Sequence, residues 1–266
     1  MPDAYNDGVR LAYERRGPRG SETVVFVEGL GYGRWMWRWQ QDALAEYDRL
    51  LWDNRGTGDS AEPEGPYTID RMAGDLGAVL EAAGVGSAHV VGASMGGMIA
   101  QQFALSDDRA ASLTLLCTSP GGPEAVPTPE ATRARMYDVP EDLGERERRR
   151  YKMRPALTDA FWAENSDLVE RIVDWRLDSD ASEQPTEWQA AAVAQFDLYD
   201  RLDDIGVPTL VLHGSADQVV PVENGRLLAE RLPDVRYHEL DGAPHLLFIE
   251  RADTVNDHIR GFLGDV

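Results

Sequence analysis

Ala88-His89-Val90-Val91-Gly92-Ala93-Ser94-Met95-Gly96-Gly97-Met98 is the stretch that decides the fold of this chain. Four residues of strand character run straight into a G-x-S-x-G pattern, Gly92 to Gly96, and a helical pattern starts at Met95 and continues to Leu105. Gly92 and Gly96 carry no Cβ to collide across so tight a turn, and Ser94 between them is forced into a strained backbone conformation. Its hydroxyl then projects at the edge of a sheet, above a helix N-terminus whose free N–H groups favour developing negative charge. A glycine-rich turn after a strand can also cradle phosphate. Here there is no G-x-x-x-x-G-K-[ST], and Gly29-Leu30-Gly31-Tyr32-Gly33 reads G-x-G-x-G rather than G-x-G-x-x-G.

On either side the same alternation repeats. Val9 to Glu14 alternates with period two and reads as an edge strand. Thr23 to Val27 is a continuous apolar run, as expected of a strand buried on both faces, and Arg49 to Trp52 is a further strand. Thr68 to Ala83 predicts a helix, with Thr68 as N-cap, apolar residues at Met72, Leu76, Val79 and Leu80, and Gly84 as the stop. Ser112 to Thr118 is a strand. The rhythm returns with strands at 208–213 and 236–240 and helices at 222–231 and 252–263. This is an α/β fold, a mostly parallel sheet with helices on both faces. Between Ser119 and Tyr199 strands give way to helical patterns at 141–154, 168–177 and 187–196. The expectation is a core of residues 1–118 and 200–266, interrupted by a helical cap, 119–199, over the strand ends.

A serine hydroxyl is a poor nucleophile near neutral pH and needs a base. His89, His213 and His238 lie in predicted strands as structural side chains, and His258 lies on the last helix. His245 follows Asp241-Gly242-Ala243-Pro244 in a loop after the last strand, where parallel sheets build their sites. It is the expected general base. The base in turn needs a carboxylate to fix its tautomer. Asp217, in the turn His213-Gly214-Ser215-Ala216-Asp217, is favoured over Asp241, which is too close to His245 along the chain to reach the outer imidazole nitrogen.

The order Ser94, Asp217, His245, the strand–turn–helix elbow and the helical insert together resemble the α/β-hydrolase superfamily, over essentially the whole chain outside the insert. Asp53-Asn54-Arg55-Gly56-Thr57-Gly58-Asp59-Ser60 resembles that family's D-x-R-G-x-G-x-S loop, which makes Asp53, Arg55 and Ser60 loop-ordering residues. The resemblance also implies an oxyanion hole from the backbone amides of Met95 and Leu30. One position departs from it: Glu28 stands where the family commonly has histidine. Either Glu28 turns away and accepts hydrogen bonds from loop N–H groups or Arg55, or it is a protonated or substrate-contacting group. Trp35, Trp37 and Trp39 are candidates for an apolar substrate pocket, Trp35 first, although helical spacing points them in different directions.

Within the superfamily, Gly65-Pro66-Tyr67-Thr68-Ile69 and Ser94-Met95-Gly96-Gly97-Met98 look most like 3-oxoadipate enol-lactonases and methylesterase-type serine hydrolases. The implied activity is hydrolysis of a small carboxylic ester or lactone through an acyl-enzyme, with no metal or organic cofactor. Carbon–carbon bond hydrolases, cofactor-free haloperoxidases and non-catalytic ligand-binding members share the skeleton. Serine at position 94 excludes the dehalogenase and epoxide hydrolase mechanism, which needs aspartate there.

The net charge of −21 argues against nucleic acid or an anionic membrane as partner. No apolar run is long enough to span a membrane, and the N-terminus is neither basic nor apolar, so the expected location is the cytoplasm. With Cys117 the only cysteine, no internal disulfide can form. Lys152 is the only lysine; every other cationic side chain is arginine. A surface so rich in Asp and Glu resembles that of proteins from salt-loving microbes, because dense like charge is tolerated when the Debye length falls to about 3 Å near 1 M salt. The melting midpoint is therefore expected to be higher in molar KCl than in dilute buffer; equal midpoints would contradict this.

Overall fold

The computed structural model describes residues 1–266. Eight strands form one sheet: β1 (Asp3–Asn6), β2 (Val9–Arg16), β3 (Thr23–Val27), β4 (Asp48–Trp52), β5 (Ala88–Ala93), β6 (Ala110–Leu116), β7 (Thr209–Gly214) and β8 (Val235–Leu240). Their spatial order is β1-β2-β4-β3-β5-β6-β7-β8. From β4 to β8 every neighbouring pair is parallel, whereas β1–β2 and β2–β4 are antiparallel.

The helices are α1 (Arg38–Ala43), α2 (Ile69–Ala82), α3 (Met95–Ser106), α4 (Glu130–Tyr137), α5 (Glu145–Met153), α6 (Asp159–Glu164), α7 (Ser166–Ser179), α8 (Glu183–Gln195), α9 (Glu223–Arg231), α10 (Leu247–Glu250) and α11 (Ala252–Leu263). Five of them, α4 to α8, fall between β6 and β7, with no strand among them. Thr68 caps α2 by accepting the Arg71 amide at 3.1 Å, and Gly84 follows the helix at φ 66°. That φ favours glycine, which is why the helix stops there.

Apolar runs of the central strands supply two cores at once. Along β3, Val25 and Val27 pack on one face with Leu76, Val79, Ile99 and Phe103 of α2 and α3. Val24 and Phe26 pack on the other with Trp37, Leu44, Phe248 and Ile259. Side chains alternate across a strand, so a continuous apolar run is what a doubly covered strand requires. Each such side chain, fully buried, contributes about 1.5–3 kcal/mol. Met153, Phe161, Val169 and Ile172 of the helical insert belong to the second core, so the insert is packed onto the domain rather than hung from it.

One expectation is corrected. β2 is not an edge strand; β1 covers it as a hairpin, with Asp7 and Gly8 at φ 49° and 79° in the turn. The Asp-Gly pair is a strong hairpin signal, and the preceding Asp3-Ala4-Tyr5-Asn6 is too short and polar to stand out as a strand. No helix of the molecule is long and apolar enough to cross a membrane.

Candidate active site

The carboxyl ends of β3, β5, β6, β7 and β8 deliver the residues singled out above. Ser94 sits between β5 and α3 at φ 54° and ψ −119°, a conformation that L side chains rarely adopt. The turn is held by Ser94 N–H donating to Leu116 O at 2.9 Å and by Thr118 Oγ1 donating to Ser94 O at 2.7 Å. Its glycines are obligatory by contact. A Cβ on Gly92 would lie 2.2 Å from Gly96 O, and one on Gly96 would lie 2.1 Å from Val27 O.

Asp217 and His245 are brought together across the ends of β7 and β8. His245 Nδ1 donates to Asp217 Oδ2 at 2.7 Å, and the other carboxylate oxygen accepts the Val219 and Val220 amides at 2.8 and 2.9 Å. Burial alone would raise the pKa of Asp217. The His245 imidazole and hydrogen bonds from His213 and His245 overcome that and hold it down at about 2. Asp241 accepts from Ser215 Oγ at 3.3 Å, away from this pair. Ser94 Oγ makes no hydrogen bond, so the structure joins the carboxylate to the imidazole and leaves the serine–imidazole link open. Links of this kind are commonly long in unliganded sites and tighten around substrate.

In the glycine-rich loop after β3, the glycine amides and that of Tyr32 are all engaged. The Gly29 amide reaches Met36 Sδ at 3.4 Å, Gly31 donates to Gln189 Oε1 at 2.7 Å, Tyr32 to Gly29 O at 3.2 Å and Gly33 to Asp180 Oδ1 at 3.2 Å. The Leu30 amide donates to no protein acceptor. Met95 opens α3, so its amide precedes the first intrahelical bond. Leu30 is half-buried, so its amide is open to an acceptor from outside the protein.

Asp53, Arg55 and Ser60 order their loop. Arg55 forms a two-pronged ion pair with Asp75 of α2, both bonds 2.6 Å, and Asn6 Nδ2 donates to the same carboxylate at 2.8 Å. Arg34 Nε lies 3.0 Å from Asp53, which also accepts the Asp59 amide at 3.0 Å. Ser60 Oγ donates to Asp53 O at 2.6 Å and accepts the Ala12 amide at 3.0 Å.

Glu28 does not follow the first of its two readings. Arg55 is taken by Asp75, and both Glu28 carboxyl oxygens are fully buried without a hydrogen-bond partner. Burial, and secondarily the charge of Asp53, raise its pKa well above the ordinary value, which favours the protonated form. It is also 0% exposed and out of a substrate's reach. The sign of the linkage follows. Stability is full below the ordinary pKa of 4.5 and declines as pH rises towards the folded value. Glu28→Gln is expected to flatten that decline: the variant should match wild type near the bottom of the range and exceed it in alkaline buffer. Parallel melting curves across the range would contradict this.

Trp35 also lies elsewhere. Its indole N–H donates to Asp180 at 2.8 Å and its ring packs on Tyr32 and Trp175. It lines a cavity of about 300 Å³ with Arg34, Arg38, Asp53 and Asp59, a set that includes none of Ser94, Asp217 and His245. Trp37 is buried between Phe26 and Phe248. At helical spacing three tryptophans cannot face one site, and here the core and the insert take them.

Three neighbours of the site were not legible as such. His213 Nε2 donates to Val220 O at 2.8 Å and lies 3.5 Å from Asp217 Oδ2, behind the carboxylate. Cys117, at φ 48° just after β6, donates its thiol to His245 O at 2.8 Å and so fixes the histidine loop from below. Burial raises the pKa of this thiol well above the ordinary value, which makes it inert. The donor atoms of Cys117, Asp217 and His245 lie within 4.8 Å of one another, yet each is engaged with a protein partner and no set of lone pairs converges on a cation. The third neighbour is Gln189 of α8. The only signals were His213 four residues before Asp217 and a polar residue on the inner face of a helix.

A strand–serine–helix elbow, a buried carboxylate–imidazole pair and a free amide beside them on a mostly parallel sheet define a class. The α/β-hydrolase fold family matches residues 22–252, and the chain belongs to it. Among its relatives is the RutD protein of Azorhizobium caulinodans, provisionally named a carbamate hydrolase, 32% identical with 100% of this chain and 99% of that one covered. The enol-lactonase from Burkholderia xenovorans superposes with a TM-score of 0.85 at 27% identity, covering 99% of this chain and 100% of that one. Est816, described as an enzyme degrading N-acyl homoserine lactone, superposes with a TM-score of 0.83 at 28% identity, covering 98% and 100%.

Proposed function

We propose that this protein is a serine hydrolase of small carboxylic esters or lactones, with Ser94 as nucleophile, His245 as general base, Asp217 as the carboxylate that orients it, and the Leu30 and Met95 amides as the oxyanion hole. The observation that carries the proposal is Ser94 at φ 54° on its elbow, with the Asp217–His245 pair at the neighbouring strand ends and the unused Leu30 amide in the loop after β3.

In this reading Ser94 Oγ attacks the substrate carbonyl carbon while its proton passes to His245 Nε2. The carbonyl oxygen becomes an oxyanion between the two amides. As it collapses, the carbon–oxygen bond to the leaving group breaks, and the leaving alkoxide takes the proton back from His245. For a lactone that alkoxide remains part of the acyl chain. Water, deprotonated by the same imidazole, then releases the acid and restores Ser94. Asp217 keeps the proton on Nδ1, so that Nε2 starts each half-reaction as an acceptor.

The enol-lactonase and acyl-homoserine-lactone relatives support a lactone or ester as substrate, and the RutD relative supports a carbamate as the second candidate. All three classes present a carbonyl to the same nucleophile. A panel of p-nitrophenyl acetate, small lactones and aryl carbamates, run at high salt with wild type and Ser94→Ala, tests the proposal. Turnover of an ester or lactone, lost in the variant, is expected. Turnover of carbamates alone would move the substrate class, and no Ser94-dependent turnover of any kind would overturn the proposal.

A further inference from the structure

Gln189 has no role in the chemistry above, yet it is 0% exposed and uses both ends of its amide on two different loops. Its Oε1 accepts the Gly31 amide at 2.7 Å. Its Nε2 donates to Arg55 O at 3.0 Å and to Thr57 Oγ1 at 3.1 Å. The insert grips Gly31 a second time, because the Ala181 amide donates to Gly31 O at 2.9 Å. Gly31 stands at φ 74°, a conformation only glycine holds easily, so both polar groups of a flexible residue are fixed by one segment of the insert.

Gly31 is the neighbour of Leu30, whose amide has no acceptor in the protein. The peptide that Gln189 holds is the one that follows the Leu30 Cα. If Gly31 N–H lost its acceptor, the Leu30–Gly31 peptide would be free to move, and a shift of the Leu30 Cα would carry the adjoining Gly29–Leu30 peptide, which bears the free amide, with it. We infer that Gln189 is a positioning residue of the reaction: it couples docking of the insert to the aim of the Leu30 oxyanion donor. The inference rests on the hydrolase reading given above. An alanine there would leave Gly31 N–H, Arg55 O and Thr57 Oγ1 without their partner. A donor displaced by about 1 Å costs on the order of 100-fold in rate.

The test compares wild type, Ser94→Ala, Gln189→Ala, Gln189→Glu and, as a control on the exposed face of the same helix, Gln184→Ala. The readouts are kcat and KM for whichever ester, lactone or carbamate wild type turns over, and labelling by an alkyl fluorophosphonate. Gln189→Ala is expected to lower kcat by about 10- to 100-fold with KM within about twofold, because the oxyanion forms only in the transition state. Gln184→Ala should match wild type. Gln189→Glu supplies a readout that a structural role would not move. Its carboxyl accepts from Gly31 in either state but can donate to Arg55 O only when protonated, so its kcat relative to wild type should rise as pH is lowered. Wild-type kcat in Gln189→Ala would overturn the inference. If that variant does not fold, Gln189→Glu decides: a ratio to wild type that stays flat with pH would overturn it. Failure of wild type to turn over any substrate or to label at Ser94 would instead sink the hydrolase reading, and this inference with it.

Discussion

Asp217→Asn is expected to lower kcat by about 10⁴-fold while leaving the fold and KM nearly unchanged. The reason lies in how the carboxylate is held. One oxygen accepts the Val219 and Val220 amides at 2.8 and 2.9 Å, and the other accepts His245 Nδ1–H at 2.7 Å. An asparagine must turn its carbonyl towards the two backbone donors, which places its amide N–H groups against His245 Nδ1. That nitrogen then becomes an acceptor and the ring proton moves to Nε2, where it blocks removal of the Ser94 proton. Steady-state kinetics together with a melting curve check this: a folded variant within about tenfold of wild type would mean that the pair is structural only.

Gly96→Ala is expected to be among the most damaging single-methyl changes in the molecule. Its new Cβ would meet Val27 O at 2.1 Å, Val27 C at 2.7 Å and Glu28 O at 2.8 Å, all backbone of β3 and of the loop that follows it. No side chain can rotate away, so α3 must move off the sheet. The movement would break the close packing of helix on strand, and it would pull Ser94 away from the Leu30 amide. Overpacking a rigid site typically costs about 1–3 kcal/mol, and a backbone collision belongs at or above the upper end. The prediction is a large fall in melting midpoint together with loss of activity even well below that midpoint. A variant with wild-type stability and turnover would show that the elbow tolerates what its geometry forbids.

The sequence made some of this plain and left the rest dark, for physical reasons. Thr23 to Val27, Ala88 to Val91 and the pattern Gly92 to Gly96 were readable because local chemistry and global fold agree there: a doubly covered strand needs an apolar run, and a sharp elbow needs glycines where backbone meets backbone. Asp217 and His245 were readable from their places after β7 and β8. The Asp3–Asn6 strand was hidden because its stability comes from pairing in the hairpin rather than from its own composition. Which of the two readings of Glu28 holds was not legible, because Arg55 has a better partner in Asp75, twenty residues further on, which no local pattern announces. Gln189 was invisible for the same reason: its partner Gly31 becomes a neighbour only when the insert packs on the loop.

Two buried ion pairs use arginine rather than lysine: Arg55 with Asp75 fastens the loop after β4 to α2, and Arg176 with Asp180 closes the C-terminal end of α7. The planar guanidinium makes two directed bonds to a carboxylate, which suits a site where geometry must be kept. Asp75→Ala would leave Arg55 charged and buried, and losses of about 3–5 kcal/mol are usual for a broken pair of that kind.

The central claim is that Ser94 is an activated nucleophile, and the most direct measurement is intact-mass and peptide-level analysis after exposure to an alkyl fluorophosphonate. A single adduct on the peptide bearing Ser94, absent in Ser94→Ala and formed far more slowly in His245→Ala, is the predicted result. No adduct on the folded wild-type protein, or one that persists when residue 94 is alanine, would contradict it.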